Sequence, residues 1–285
     1  MILASTRNRH QQHIRKILLS YLCYSTPRYN RKYFGSGKAL SSLFSTTTKV
    51  NSGVQALNIC IIAGSTRNSG PPRPILSDRV TTFIHSSIEN RDNVSHDISI
   101  LKAKDVLDLG KEERGVLPLL ERPHFSYPQS QIPPYLRDMH ETLSNADAYI
   151  TITPEYNHAP CPGLMNIMNH FGSSTFGFKP SGIVSYSAGQ WGGTRAAHAL
   201  RPFLSELGCL PVSAMIHIPK AAQVLNDDGR LIDQSEEEHW KGYVDRMINQ
   251  LEWWGEAAKR QRDLVDPESV SPAFRKNPSQ RNAPK

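Results

Sequence analysis

The first 57 residues contain neither Asp nor Glu, although they carry nine Lys or Arg (Arg7, Arg9, Arg15, Lys16, Arg28, Arg31, Lys32, Lys38, Lys49). That gap relocates the chain's formal charge of +7: taking the nine from 33 basic residues leaves 24 against 26 acidic ones, a net charge of −2 for the remainder. The basic character is therefore local, and a body built to bind nucleic acid is not indicated. Cysteine is also scarce. Cys23, Cys60, Cys161 and Cys209 form no CxxC pair and no metal-ligand spacing, which argues against a disulfide framework or a bound metal and fits a reducing compartment. No apolar run is long enough to span a bilayer, and no GxSxG elbow marks a serine hydrolase. A faint phosphate-loop look at GSGKALSS (35–42) fails for want of the first glycine, of Ser or Thr after the lysine, and of a preceding strand.

What is present divides the chain into three. Residues 1–56 are Arg- and Ser-rich and acid-free, with Ile14, Ile17, Leu18 and Leu22 on one helical face, as in a mitochondrial transit peptide; a basic tail on a cytoplasmic protein is the alternative. Residues 57–260 alternate strand and helix patterns, and residues 261–285 are polar, basic and Pro-containing, the composition of a disordered tail. Strands are expected at 57–64, 94–101, 148–153, 181–187 and 211–218, the last an edge strand because apolar and polar positions alternate. Between them, 75–88, a segment around 136–146, a helix opened by Pro162 and running to Phe171, and 194–207 show helical spacing. The final helix should begin at Ser235 with Glu238 completing a capping box, and bury Trp240, Val244, Met247, Leu251 and Trp254. Residues 102–134, with five prolines, read as an irregular surface excursion.

This alternation predicts an α/β domain with a five-stranded parallel sheet and helices on both faces. Such folds bind ligands beyond the carboxyl ends of the strands, which directs attention to the loops 64–74, 154–162 and 187–193. In the first, GSTRNSGPPRP, Ser65, Thr66 and Ser69 offer hydroxyls and Arg67 a fork for phosphate oxygens, helped by the positive end of the next helix. The second, PEYN, places Pro154, Glu155, Tyr156 and Asn157 where an acid, a phenol and an amide need partners; they either cap the strand or line a ligand's edge. In the third, SAGQWGG, Ser187, Ala188, Gly189, Gly192 and Gly193 let backbone N–H groups approach a flat ring, and Trp191 can shape access. Each loop read singly is also a plain surface turn.

Together, GSTR, TPEYN, the KP before the fourth strand, SYSAGQWGGTRAAHALRPFLSELG and IPKAAQVLNDDGRLID resemble the NADPH-dependent FMN reductase family, which includes flavodoxin-like quinone reductases and azoreductases, over about residues 57–256. The resemblance implies a flavodoxin-like fold holding FMN: Ser65 and Arg67, with Ser69 beside them, at the phosphate, Pro154 to Asn157 at the isoalloxazine, and Ser187 to Gly193 along its other edge. One departure is visible, since the position three after Arg67 holds Gly70 where relatives often have Ser. The family implies ping-pong transfer of hydride from NADPH or NADH to quinones, flavins or related acceptors, in a homodimer or homotetramer, with no protein acid required and thus no catalytic residue named. A flavin-bound redox-sensing interaction protein and a one-electron flavodoxin-like carrier are the alternatives. Cys161, His158 and His170 read as ordinary loop or packing residues, and Trp253 and Trp254 as packing for the last helix or a subunit contact.

Overall fold

The computed structural model describes residues 55–108, 110 and 115–270; the leader reading for 1–56 lies almost wholly outside them, as does the tail beyond 270. The strands are β1 (Asn58–Ala63), β2 (Asp97–Lys102), β3 (Ala148–Tyr156), β4 (Ala159–Pro160), β5 (Lys179–Tyr186) and β6 (Cys209–Ile218). Five of them form a parallel sheet in the order β2-β1-β3-β5-β6, and β4 pairs antiparallel with the end of β3. This is the flavodoxin-like doubly wound order, which reverses between β1 and β3. The two-residue β4 is the one strand the sequence pattern did not announce.

The principal helices are α1 (Leu76–Glu89), α2 (Pro134–Asn145), α3 (Pro162–Asn169), α4 (Thr194–Glu206) and α5 (Glu237–Leu264). Strand periodicity sorts the core into two layers: Ile59, Ile61 and Ala63 face α1 and α5, while Cys60 and Ile62 face α2, α3 and α4. Because β1, β3 and β5 are covered on both sides, their apolar residues run nearly unbroken. β6, the edge strand, alternates from Val212 onward between buried positions and exposed or half-buried ones (Ser213 exposed, Met215 and His217 half-buried).

Several boundaries differ from expectation for local reasons. α3 ends at Asn169 rather than Phe171, and a separate turn, Ser173–Phe176, follows Gly172 at a φ of 65°. The last helix does not start on a Ser235 capping box: Asp233 accepts the Ser235 N–H and opens a 3-10 turn, Gln234–Glu236, ahead of α5. α5 then continues to Leu264, past the expected start of a disordered tail at 261, because Arg262 reaches Asp147 (2.8 Å) and the Phe178 carbonyl (2.8 Å). Trp254 lies 53% exposed rather than on the buried face; that face is made by Val244, Met247, Ile248 and Leu251, with the buried Glu252 held by Arg91 and His96. Within 102–134 the chain is less irregular than its prolines suggest. A turn at Ala103–Val106, a bridge between Leu107 and Leu117, and the buried Leu117 and Ile132 pin it to the α2–α3 layer.

Candidate functional site

The stretch TPEYNHAP does not leave the sheet at Thr153. β3 carries on through Tyr156, turns at Asn157 and His158, and returns as β4, with Glu155 opposite Pro160 and Tyr156 opposite Ala159. Both turn residues are left-handed, φ 51° and 64°, the arrangement a two-residue hairpin loop requires. Thr153 anchors the base: its buried Oγ1 accepts the Cys161 N–H (3.0 Å) and donates to the Pro154 carbonyl (2.8 Å). The hairpin projects Tyr156, 43% exposed, over an open cleft of about 690 Å³ lined by Glu155, Tyr156, Asn157, Ala159, Pro160 and Pro162. Such a size and such mostly apolar walls suit a small-molecule site.

Glu155 is not free to line that cleft with its carboxylate. Its Oε2 accepts from the N–H groups of Arg195 (3.1 Å) and Ala196 (3.4 Å), and Oε1 from Arg195 Nε (2.8 Å), so it caps the start of α4. Burial pushes its carboxyl up, but the Arg195 side chain and the Ala196 and Arg195 N–H groups outweigh that and hold it below the ordinary range. The acid thus locks the hairpin to the first turn of α4.

The first loop packs against α3 through two glycines. A Cβ on Gly64 would fall 2.3 Å from the Leu164 Cβ, and one on Gly163 would fall 2.5 Å from the Gly64 carbonyl and 2.7 Å from Thr66 Cγ2. Ser65 is buried, and its hydroxyl accepts the Arg67 N–H (3.3 Å). Arg67 and Ser69 are exposed; the guanidinium lies on its own loop, bonding the Ser69 carbonyl (3.2 Å) and the Pro71 carbonyl. The start of α1 offers less positive charge than expected, because Asp78 already sits in its first turn, held by Lys102 and Lys104.

The third loop is bound on its inner side. Ser187 N donates to the Ile218 carbonyl, the Gly189 carbonyl accepts from Ser187 Oγ (2.9 Å) and Lys220 N (2.8 Å), and the Trp191 carbonyl accepts from Thr194 Oγ1 (2.7 Å). Ala188 and Gly189 are exposed and the Trp191 ring is 62% exposed, while Gly192 and Gly193 are buried at φ 59° and 78°. Among the described residues, the N–H groups of the loop from Ala188 to Gly193 donate to no protein acceptor. They form a set of backbone donors of the kind that binds anionic or carbonyl oxygens.

Register brings the three loops together: Ala63 sits beside Ile152 and Pro154 beside Tyr186, so the strand ends carrying them are neighbours. Sequence reading missed Ser185 and His217, whose side chains meet at 2.8 Å directly beneath the third loop. In sequence Ser185 is one more position in a buried strand and His217 a polar position of an alternating edge strand; only the β5–β6 register pairs them. Cys161 is buried against Thr153, and burial pushes its thiol up, which suits a packing residue. His170 likewise packs inside, its Nε2 3.1 Å from the Pro118 carbonyl. No helix among the described residues is long and apolar enough to cross a membrane.

The family model for NADPH-dependent FMN reductase matches residues 57–223. An NAD(P)H-dependent FMN reductase of Pseudomonas aeruginosa is 29% identical over 126 residues, covering 43% of this chain and 66% of the relative. A quinone reductase of Pseudomonas putida is 30% identical over 115 residues, 38% of this chain and 61% of the relative. The chain thus spans less than two thirds of the length of these relatives. Among solved structures, FerB, a flavoenzyme NAD(P)H:(acceptor) oxidoreductase from Paracoccus denitrificans, superposes with a TM-score of 0.52 at 19% identity, covering 69% of this chain and 98% of that one, a likeness of fold. Since the family match takes in all three loops as well as strands β1 to β6, the chain belongs to the NADPH-dependent FMN reductase family.

Proposed function

We propose that this chain binds FMN across the carboxyl ends of β1, β3 and β5 and passes electrons from NADPH or NADH to a quinone, a flavin or a related small acceptor. The observation that carries the reading is the meeting of two features at one end of the sheet: third-loop backbone N–H groups without a protein partner among the described residues, and an open, mostly apolar cleft under Tyr156, in a fold whose ligands bind at that end. The residues present fit the group. Ser65, Arg67 and Ser69 supply phosphate partners, the Pro154–Asn157 backbone and the Tyr156 ring flank the cleft, and Ser187, Ala188, Gly189, Gly192 and Gly193 allow close approach to a planar ring. When bound, FMN supplies the acceptance and release of hydride, the chemistry side chains lack.

The chain's own part is holding and shielding. Arg67 exchanges its contacts with the Ser69 and Pro71 carbonyls for phosphate oxygens, a trade between exposed partners that leaves the core untouched. Tyr156 and Trp191 are the exposed aromatics flanking the loops, and they set which flat molecules reach the cleft. An open cleft serves donor and acceptor in turn, a ping-pong sequence. The names of the relatives, an FMN reductase and a quinone reductase, support the substrate class. We read residues 1–56 as an organelle-targeting leader and the working form as a homodimer or homotetramer.

The test is a purified protein that releases FMN on denaturation and oxidises NADPH faster when a quinone is added. Arg67→Met should weaken FMN binding about tenfold or more, the worth of a charge-assisted hydrogen bond, with thermal stability unchanged. Unchanged FMN affinity in that variant removes Arg67 from the phosphate site.

A further inference from the structure

Building on the FMN reading above, we infer that Ser185 and His217 are a positioning pair that fixes the Gly192–Gly193 peptide so that the Gly193 N–H faces the bound flavin. The argument begins with a buried hydroxyl in a strand that is otherwise apolar at its neighbours Ile183, Val184 and Tyr186. Ser185 Oγ lies 2.8 Å from the Gly192 carbonyl and 2.8 Å from His217 Nδ1. It has one proton to give. The carbonyl can only accept, so the hydroxyl donates to Gly192 and Nδ1 of His217 must carry the hydrogen that it donates to Ser185 Oγ. The result is a directed chain, Nδ1–H to hydroxyl to carbonyl, in which each bond polarises the next.

His217 is itself held in place. Sheet register sets it beside Ser185, and its backbone N–H donates to the Tyr243 hydroxyl (2.8 Å) from α5. Burial, with His198 nearby, holds the imidazole below the ordinary histidine range, which favours the neutral ring that the Nδ1–H form needs.

The peptide that this chain grips is the one most in need of a grip. It joins two glycines, and a peptide between residues without side chains meets little steric resistance to rotating end over end. In a trans peptide the C=O and the following N–H point in opposite directions. Anchoring the Gly192 carbonyl inward on Ser185 therefore turns the Gly193 N–H away from the sheet, where it has no partner among the described residues. A Cβ on Gly193 would fall 2.9 Å from the Ser185 Cβ, so the peptide rests directly on the serine. An outward, fixed N–H stabilises negative charge on a ring above it, and does so best when it need not reorient as the charge forms.

The experiment compares wild type with Ser185→Ala, His217→Asn and His217→Phe by FMN titration and by the midpoint potential of the bound flavin. Asn keeps a donor near the Nδ1 position and should behave as wild type. Ser185→Ala and His217→Phe should bind FMN about fivefold more weakly, the worth of one hydrogen bond, and shift the potential in the negative direction. A purely structural role would lower thermal stability while leaving the potential unmoved, and that result overturns the inference. So does wild-type affinity and potential in folded Ser185→Ala. If that variant does not fold, the His217→Asn and His217→Phe pair decides. In the protein without FMN, the nitrogen-15 shifts of His217 should report the Nδ1–H tautomer; the Nε2–H tautomer overturns the pairing whatever the flavin result. A wild type that takes up no FMN removes the FMN reading and this inference with it, whereas a wild type that binds FMN beside unaffected variants removes this inference alone.

Discussion

Glu155 is the residue at which a sequence motif and its geometry part company. Its place in PEYN, at the end of a buried strand, marks it as an acid that needs partners, and that much follows from the cost of burying a carboxylate. Which partners it takes depends on the β3–β5 register and on where α4 begins, neither of which is written locally. The structure turns the carboxylate onto Arg195 and the start of α4. Glu155→Gln should therefore cost about 1 kcal/mol of stability, the worth of a helix cap, read from urea unfolding at neutral pH. The pH dependence has a definite sign. A carboxyl held below its ordinary 4.5 in the folded protein stabilises it above that pH and loses the contribution as pH falls through the folded value. Wild type should show this acid loss of stability, and Glu155→Gln should show less of it. Ser185 and His217 were illegible for the related reason that each is unremarkable alone and informative only as a cross-strand pair.

Among the elements, the alternation of apolar runs and helical stripes was enough to give five parallel strands and the helices between them, since right-handed crossovers leave few arrangements. β4 escaped because a hairpin turn with both residues left-handed is signalled by Asn-Gly, and here the second place is His158. The contact between α3 and the first loop also escaped, because it rests on a glycine inside a helix pattern. Gly163→Ala puts a methyl 2.5 Å from the Gly64 carbonyl. It should destabilise the protein by about 1–3 kcal/mol, as overpacking does, and weaken FMN binding by displacing the loop; calorimetry and flavin titration check both. The excursion after β2 makes a further prediction. The His124 ring stacks on His140 at 4.0 Å, the His124 backbone N–H donates to the His170 carbonyl, and His170 Nε2 bonds the Pro118 carbonyl. Burial holds His124 and His170 below the ordinary 6.5, so the stability they contribute is present above that pH and lost as pH falls through their folded values. Amide exchange in residues 115–132 should accelerate on acidification below pH 6.5, ahead of exchange in β1 and β3. Uniform exchange across both regions would remove the histidine contacts as the anchor.

For the whole molecule, the sheet order and the cleft at the end of β3 support the proposed placement of the FMN site at the carboxyl ends of the strands. Charge also separates by region: residues 1–57 are basic and acid-free and the rest is nearly neutral, so the chain's overall +7 says nothing about what the cleft binds. The sheet that carries the three loops was legible from the sequence, and the proposed ligand position follows from its strand order. The details that tune it were not, since they come from residues that only folding brings together. The most direct measurement of the central claim is an anaerobic titration of the FMN-loaded protein with NADPH, followed by addition of a quinone. The account predicts that the flavin's visible absorption bleaches in proportion to NADPH added and returns when the quinone is supplied; a bound flavin that NADPH and NADH both leave oxidised would contradict it.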